Sequence, residues 1–460
     1  MLKVLILAAG KGTRMKSEKS KVLFEVAGKP MIDYVVDTAN SLNPENIIVV
    51  VGNQAEMVKK HLQLHPSKDK IRFVLQKEQK GTGHAVLCAE EFLNYEGKVL
   101  ILCGDMPLIK RETLKKFLES VTDSITVITV KLDNPTGYGR IVRGPDKKII
   151  KIVEEKDASE KEKSIKEINT GVYLCDTKEL LARLKTVKNN NAQGEYYLTD
   201  IANEGAEVFE WKDETEFIGI NNKIELAKAS KILWENRCRY FMAEGVEILD
   251  PSNCYIDEDV KIGKETIIYP NVFLKGNTII GENCLIYPGC RIENSTISDD
   301  CEIKDNTLIE DSFVGNSCIV GPMAHLRPKT KLLGNNKIGN FVETKKAEIG
   351  IGSKASHLTY LGDCKIGNNV NIGCGTITCN YDGISKHETI IGDNVFVGSD
   401  VQFVAPVKIG SKSLVGAGST ITKDVPEGAL AITRAEQKNI EGWVERWHEK
   451  KRKEAEKCVE

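Results

Sequence analysis

The chain has 460 residues, 41% of them hydrophobic and 28% charged, the make-up of an ordinary globular protein long enough for two or three domains. Its 64 Lys and Arg against 66 Asp and Glu leave a formal net charge of -2, which offers no general attraction to nucleic acid or membrane. Small molecules are therefore the expected partners. No apolar run approaches the ~18 residues of a membrane span, and the 13 cysteines lie scattered without CxxC pairs. They read as small buried hydrophobes of a reducing, cytoplasmic compartment rather than as disulfide or zinc ligands.

From the N-terminus, short β-rich runs (4–7, 47–51, 73–75, 99–102 and 125–130) alternate with helical stretches at 30–39 and 82–93. This alternation predicts a Rossmann-like α/β domain over 1–225, built on a mostly parallel sheet that binds its ligands beyond the carboxyl ends of the strands. Leu226, Ile232, Leu233 and Tyr240 then recur along one side until Gly245, predicting a connecting helix over 226–247. After Pro251 the pattern changes. An aliphatic residue followed by Gly stands at Ile262, Ile280, Val314, Val320, Ile338, Ile349, Ile366, Ile372, Ile391, Val397, Ile409 and Val415, with many gaps a multiple of six. A six-residue period predicts a parallel β-helix over 248–434, its aliphatic residues pointing into a triangular prism. Other gaps fall one or two short, and the step from Ile372 to Ile391 contains a candidate loop, CNYDGISKHET; such slips are expected where a loop leaves the prism. The polar stretch 435–460 reads as a frayed helix or a disordered tail.

Leu7, Ala8, Ala9, Gly10, Lys11, Gly12, Thr13, Arg14 and Met15 follow the first strand directly. A glycine turn there presents backbone N–H groups to a triphosphate, with Lys11, Arg14 and Lys21 to neutralise it. The spacing is neither GxGxxG nor the Walker pattern, so generic dinucleotide and P-loop readings fail. The stretch resembles the sugar-1-phosphate nucleotidyltransferases, whose signature LxxGxGTxM precedes Pro-Lys; here Ser20 replaces the proline before Lys21. Gln76, then Gly81 and Thr82, then Cys103, Gly104 and Asp105 continue the likeness, Cys103 standing where relatives usually carry Tyr. The resemblance implies that Gln76 and Gly81 contact uracil, that Gly139, Glu154 and Asn169 hold N-acetylglucosamine, and that Asp105 and Asn221 bind Mg²⁺, with Asn222 the neighbour most easily confused with Asn221. For attack of a sugar phosphate on UTP, Lys21 and Mg²⁺ are the expected stabilisers of developing phosphate charge, and one Asp plus one Asn suits a Mg²⁺ ion that keeps phosphate and water ligands.

The β-helix carries a dense polar cluster, HLRP, NFVETKKAEIG, SKASHLTYLGD and NIGCGTITCNYDG. It resembles the acetyltransferase half of the bifunctional bacterial N-acetylglucosamine-1-phosphate uridylyltransferase/glucosamine-1-phosphate acetyltransferases, and the likeness extends over nearly the whole chain. By that resemblance the β-helix is left-handed and trimeric, and the enzyme supplies UDP-N-acetylglucosamine for peptidoglycan and other envelope polysaccharides. His357 becomes general base, as an imidazole titrating near about 6.5 suits an amine acetylation; Glu343 is expected to orient it or to steer the ammonium. Arg327, Lys345, Tyr360, Asn371 and Lys386 are expected to hold glucosamine-1-phosphate. Cys374 (through its backbone), Asn380, Tyr381, Ser399, Ala417 and Arg434 are expected to hold acetyl-CoA. A pyrophosphorylase for another nucleotide sugar would lack the HLTYLGD and TCNYDG stretches, and a non-catalytic scaffold would be expected to have lost some of Lys21, Asp105, Asn221 and His357.

Overall fold

In a computed structural model, residues 1–120, 125–203 and 205–457 are described, and they form two compact units. The first comprises Met1–Ala243 with Cys254–Val260; the second, Glu244–Asn253 with Lys261–Glu460.

The first unit is built on a sheet whose main strands are β1 (Leu2–Ala8), β2 (Ile47–Val51), β3 (Ile71–Leu75), β4 (Lys98–Cys103), β5 (Ile125–Lys131), β6 (Glu167–Asp176) and β7 (Glu207–Glu210). Their order is β7-β5-β6-β4-β1-β2-β3. Only β6 runs antiparallel to its neighbours, pairing β4 and β5; β1 pairs β2 and β4 in parallel. Val4, Ile6 and Ala8 enter one apolar core and Leu5 the other, as Val49 and Val51 oppose Ile48 and Val50. Burial of both faces explains why these strands read as unbroken apolar runs. The first helix runs Met31–Ser41, with Pro30 at its N-cap. The stretch predicted as one helix over 82–93 is two, Thr82–Leu87 and Glu90–Leu93.

The helix expected over 226–247 runs Lys223–Ala243 and belongs to the first unit. Leu226, Ile232 and Leu233 close a small core with Val26, Met31, Tyr34, Leu108 and Ile220, which is why the helix docks there. Tyr240, counted with the apolar side, is exposed.

The second unit is a ladder of mostly two- and three-residue parallel strands. One inward column runs Ile262, Ile280, Ile297, Val314, Leu332, Ile349, Ile366, Ile391 and Ile409. Two further columns pass through Ile268, Ile286 and Ile303 and through Leu274, Ile292 and Ile309. Three inward columns make a triangular prism, and nearly all these side chains are buried. The slips in the hexad pattern have two sources. Adjacent coils are offset by 18 residues in some places and 17 in others, the shorter coils turning a corner with one residue fewer and no loop. A loop leaves the prism in the 380–388 stretch, where adjacent coils are offset by 25 residues. Past the last coil, Trp443–Lys457 is an exposed helix. No helix among the described residues is long and apolar enough to cross a membrane.

Candidate functional site

Beyond the carboxyl ends of β1 and β4, the glycine loop and Cys103-Gly104-Asp105 come together, as Gly104 N donates to Leu7 O at 2.9 Å. Gly12 has φ +61, and a Cβ there would stand 2.8 Å from Lys21 Cβ, so the loop closes directly over Lys21. Lys21 Nζ forms an ion pair with Asp105 and donates to Asn221 Oδ1 at 3.0 Å. Arg14 Nη2 donates to the same amide oxygen at 2.8 Å. Asn221 and Asn222 differ in what they hold. Asn222 Oδ1 accepts the N–H groups of Ile224 and Glu225, capping the helix that follows, whereas Asn221 faces the lysine.

Asp105 and Asn221 therefore present two oxygens already bridged by a cationic ammonium, which fits a small divalent ion held by few protein ligands. Among the described residues no group of three or more His, Cys, Asp or Glu forms a self-sufficient metal site.

Gln76 is almost fully buried, its amide donating to Gly81 O at 3.1 Å and lying 3.0 Å from His84 Nδ1. Gly81, at φ +105, lies so close to the 195–196 backbone that a Cβ would approach Tyr196 O to 2.5 Å. Leu198 N donates to Thr82 Oγ1 at 3.0 Å, which brings the 196–198 segment, unremarked in the sequence, against this wall. Gly139, Glu154 and Asn169 also converge: Asn169 N donates to Gly139 O at 2.9 Å, and Glu154 lies within van der Waals reach of the Gly139 site. Burial, and then repulsion from Asp157, Asp200 and Glu195, holds the Glu154 carboxyl above the usual range. Burial likewise pushes the Cys103 thiol up to about 12, which makes it an inert wall and no nucleophile.

In the β-helix, Arg327 Nη1 donates to Glu343 Oε1 at 2.7 Å. Lys345 is held below its ordinary value first by Lys386 and then by Arg327, so three cations crowd one place, with the Glu343 carboxylate paired to Arg327. Such a cluster calls for an anion. Tyr360 lies opposite Glu343 in the ladder, on the same face.

The ladder also shows what surrounds Glu343. His357 is opposite Asn340, while Glu343 lies between His325 and Tyr360 with its carboxylate taken by Arg327. Within one chain the Glu343 carboxylate is paired with Arg327. Asn371 is also set apart from its expected companions, in a column with Lys354 and Phe396 on a different face from Arg327 and Tyr360.

One edge of the prism gathers most of the remaining predicted residues. The register that sets Lys354 against Asn371 and Tyr360 against Ile377 places the exposed His357 one coil before Cys374. Asp400 N donates to Cys374 O at 2.7 Å and Gly418 N to Ser399 O at 2.8 Å, bringing Ser399 and Ala417 along the same edge. Arg434 Nη1 closes it with a 2.7 Å bond to Ala417 O. Asn380 is buried, its amide donating to Asp363 at 2.6 Å, whereas Tyr381 is exposed.

Residues 3–218 match the nucleotidyl transferase family, 251–349 the GMPPB C-terminal domain, and 388–423 the bacterial transferase hexapeptide (six repeats). Fold and sites thus define a two-part transferase, a Rossmann-like nucleotidyltransferase joined to a left-handed β-helix of hexapeptide repeats. Over 452 residues the chain is 50% identical to the bifunctional protein GlmU of Geotalea uraniireducens, covering 96% of this chain and 98% of that one. It is 50% identical over 449 residues to that of Pelobacter propionicus (95% and 97% covered) and 51% over 449 to that of Caldanaerobacter subterraneus subsp. tengcongensis (96% and 97%). The chain belongs to the family of bifunctional GlmU proteins. It is a uridylyltransferase and an acetyltransferase of UDP-N-acetylglucosamine synthesis.

Proposed function

We propose that each activity uses the cluster assigned to it above, with acetyl transfer to glucosamine-1-phosphate first and uridylyl transfer second. In the first unit, the backbone of residues 7–12 with Arg14 and Lys21 receives the triphosphate of UTP, and Gln76, Gly81 and Thr82 receive the uracil. Gly139, Glu154 and Asn169 hold N-acetylglucosamine-1-phosphate so that its phosphate oxygen faces the α-phosphorus. Lys21 stabilises charge on the phosphate oxygens as pyrophosphate leaves. Asp105 and Asn221 would hold Mg²⁺, which supplies further charge neutralisation and orients the phosphates. The observation that carries this half is the convergence of Arg14, Lys21, Asp105 and Asn221 on one point at the strand ends.

In the β-helix, His357 takes the proton released as the glucosamine nitrogen attacks the thioester carbonyl of acetyl-CoA. The CoA lies along the edge marked by Cys374, Ser399, Ala417 and Arg434, with Tyr381 and Asn380 beside it. Arg327, Lys345 and Lys386 take the sugar phosphate, with Tyr360 near them. Because Asn371 stands on another face from Arg327, the acceptor subsite is completed by a neighbouring copy, in keeping with a trimer built through the β-helix. The enzyme works in the cytoplasm, where UTP and acetyl-CoA are made.

The test is a pair of single substitutions in the full chain. Lys21→Ala is expected to abolish UMP transfer and spare acetyl transfer; His357→Ala is expected to do the reverse. Loss of both activities in either variant, with the fold intact, refutes the assignment.

A further inference from the structure

The long departure from the prism at 380–388 is a loop whose shape is set by polar bonds. His387 N donates to Asn380 O at 2.8 Å, and Tyr381 and Lys386 face each other in an antiparallel bridge. Inside it a single carboxylate gathers the turn. Asp382 Oδ1 accepts the N–H groups of Ile384 and Ser385 at 2.8 and 2.7 Å, and Asp382 Oδ2 accepts from His387 Nε2 at 2.7 Å. Tyr381 Oη donates to Gly383 O at 2.6 Å. Ile384 at the tip is 91% exposed, so no apolar core fixes the loop, and these bonds carry that role. The Ser385 N–H, then the His387 ring and the Ile384 N–H, hold the Asp382 carboxyl well below the usual range, so it is ionised at working pH.

The two residues bridged across this loop serve different substrates in the function proposed above: Tyr381 the acetyl donor, Lys386 the phosphate of the acceptor. We infer that Asp382 and His387 form a staple that fixes Tyr381 and Lys386 relative to each other, so that one rigid bracket sets both the donor and the acceptor subsite of acetyl transfer. Asp382 and His387 touch neither substrate; they are positioning residues. The inference rests on the assignment of Tyr381 and Lys386.

The experiment measures kcat, and KM for glucosamine-1-phosphate and for acetyl-CoA, in the full-length protein. The variants are Asp382→Ala, Asp382→Asn, His387→Ala, His387→Gln and Lys386→Ala, with UMP transfer by the same preparations as internal control. Removing three bonds to a charged acceptor is expected to raise both KM values about tenfold or more in Asp382→Ala. Asp382→Asn keeps an oxygen for the two N–H groups and recovers most of the loss. His387→Ala raises both KM values about threefold, and His387→Gln, which keeps a donor, restores them. UMP transfer stays unchanged throughout. Both KM values within about twofold of wild type in Asp382→Ala, or a fall in kcat alone, overturns the staple. Should Asp382→Ala fail to fold, identical constants in His387→Ala and His387→Gln overturn it equally. Lys386→Ala with an unchanged KM for glucosamine-1-phosphate overturns instead the assignment of Lys386, and is distinguishable from failure of the staple.

Discussion

Asp105→Asn separates binding from turnover at the uridylyl site. The carboxylate is ion-paired with Lys21, and Arg14 points at the same Asn221 oxygen that Lys21 reaches. Breaking a buried ion pair from one side costs about 3–5 kcal/mol. Here the side chains are 15% and 20% exposed, and Lys21 keeps its bond to Asn221, so solvent and that partner reduce the expected loss to about 1–2 kcal/mol. The effect on metal-free UTP has the opposite sign, because removing a negative charge about 4 Å from a phosphate relieves about 1 kcal/mol of repulsion even at the dielectric of water. UTP without Mg²⁺ should bind about fivefold more tightly. UMP transfer should fall by about 10²–10³, while acetyl transfer in the same preparation is unaffected. Calorimetric titration of UTP with and without Mg²⁺, beside pyrophosphate release, reads both effects. A variant that keeps its turnover within threefold at limiting Mg²⁺, or binds metal-free UTP more weakly, refutes the reasoning.

Gly81→Ala places a Cβ 2.5 Å from a backbone oxygen at φ +105, a strain of about 1–3 kcal/mol; UTP KM should rise at least about tenfold with little change in thermal stability if the loop shifts away, as steady-state kinetics and calorimetry will report. For Glu154, a folded-state carboxyl held above its unfolded value costs stability as pH rises past that value, near about 4.3. Glu154→Gln should therefore melt higher than wild type at pH 8, melt at the same temperature near pH 4, and bind N-acetylglucosamine-1-phosphate more weakly, by scanning fluorimetry and kinetics. Cys374 is the one exposed cysteine among the described residues, so a bulky maleimide should label it before the other described cysteines and stop acetyl transfer while sparing UMP transfer. Acetyl-CoA should protect it, and peptide mass spectrometry identifies the labelled residue.

The main architecture was legible because each half has its own periodicity. Strands buried on both faces read as continuous apolar runs, and the inward residues of the prism recur by hexads. The corners were less legible. A coil of 17 residues differs from one of 18 only in how a turn is made, so the alignment of His357, Cys374, Ser399, Ala417 and Arg434 along one edge emerges only from the ladder. Asn221 and Asn222 are equivalent as letters, and the helix that begins after them tells them apart by taking Asn222 as its cap. Glu343 was read toward His357 or the ammonium, and its pairing with Arg327 of the neighbouring coil emerges only from the ladder. Asp382 and His387 passed as ordinary loop residues, since nothing in their spacing shows that one carboxylate holds three donors.

The most direct test of the account supplies the purified protein with glucosamine-1-phosphate, acetyl-CoA, UTP and Mg²⁺, omits each in turn, and follows the products by mass spectrometry. UDP-N-acetylglucosamine in the complete mixture alone, with N-acetylglucosamine-1-phosphate accumulating when UTP is left out, is the predicted result. Uridylyl transfer to N-acetylglucosamine-1-phosphate without any acetylation of glucosamine-1-phosphate would contradict the roles assigned to His357 and its prism edge.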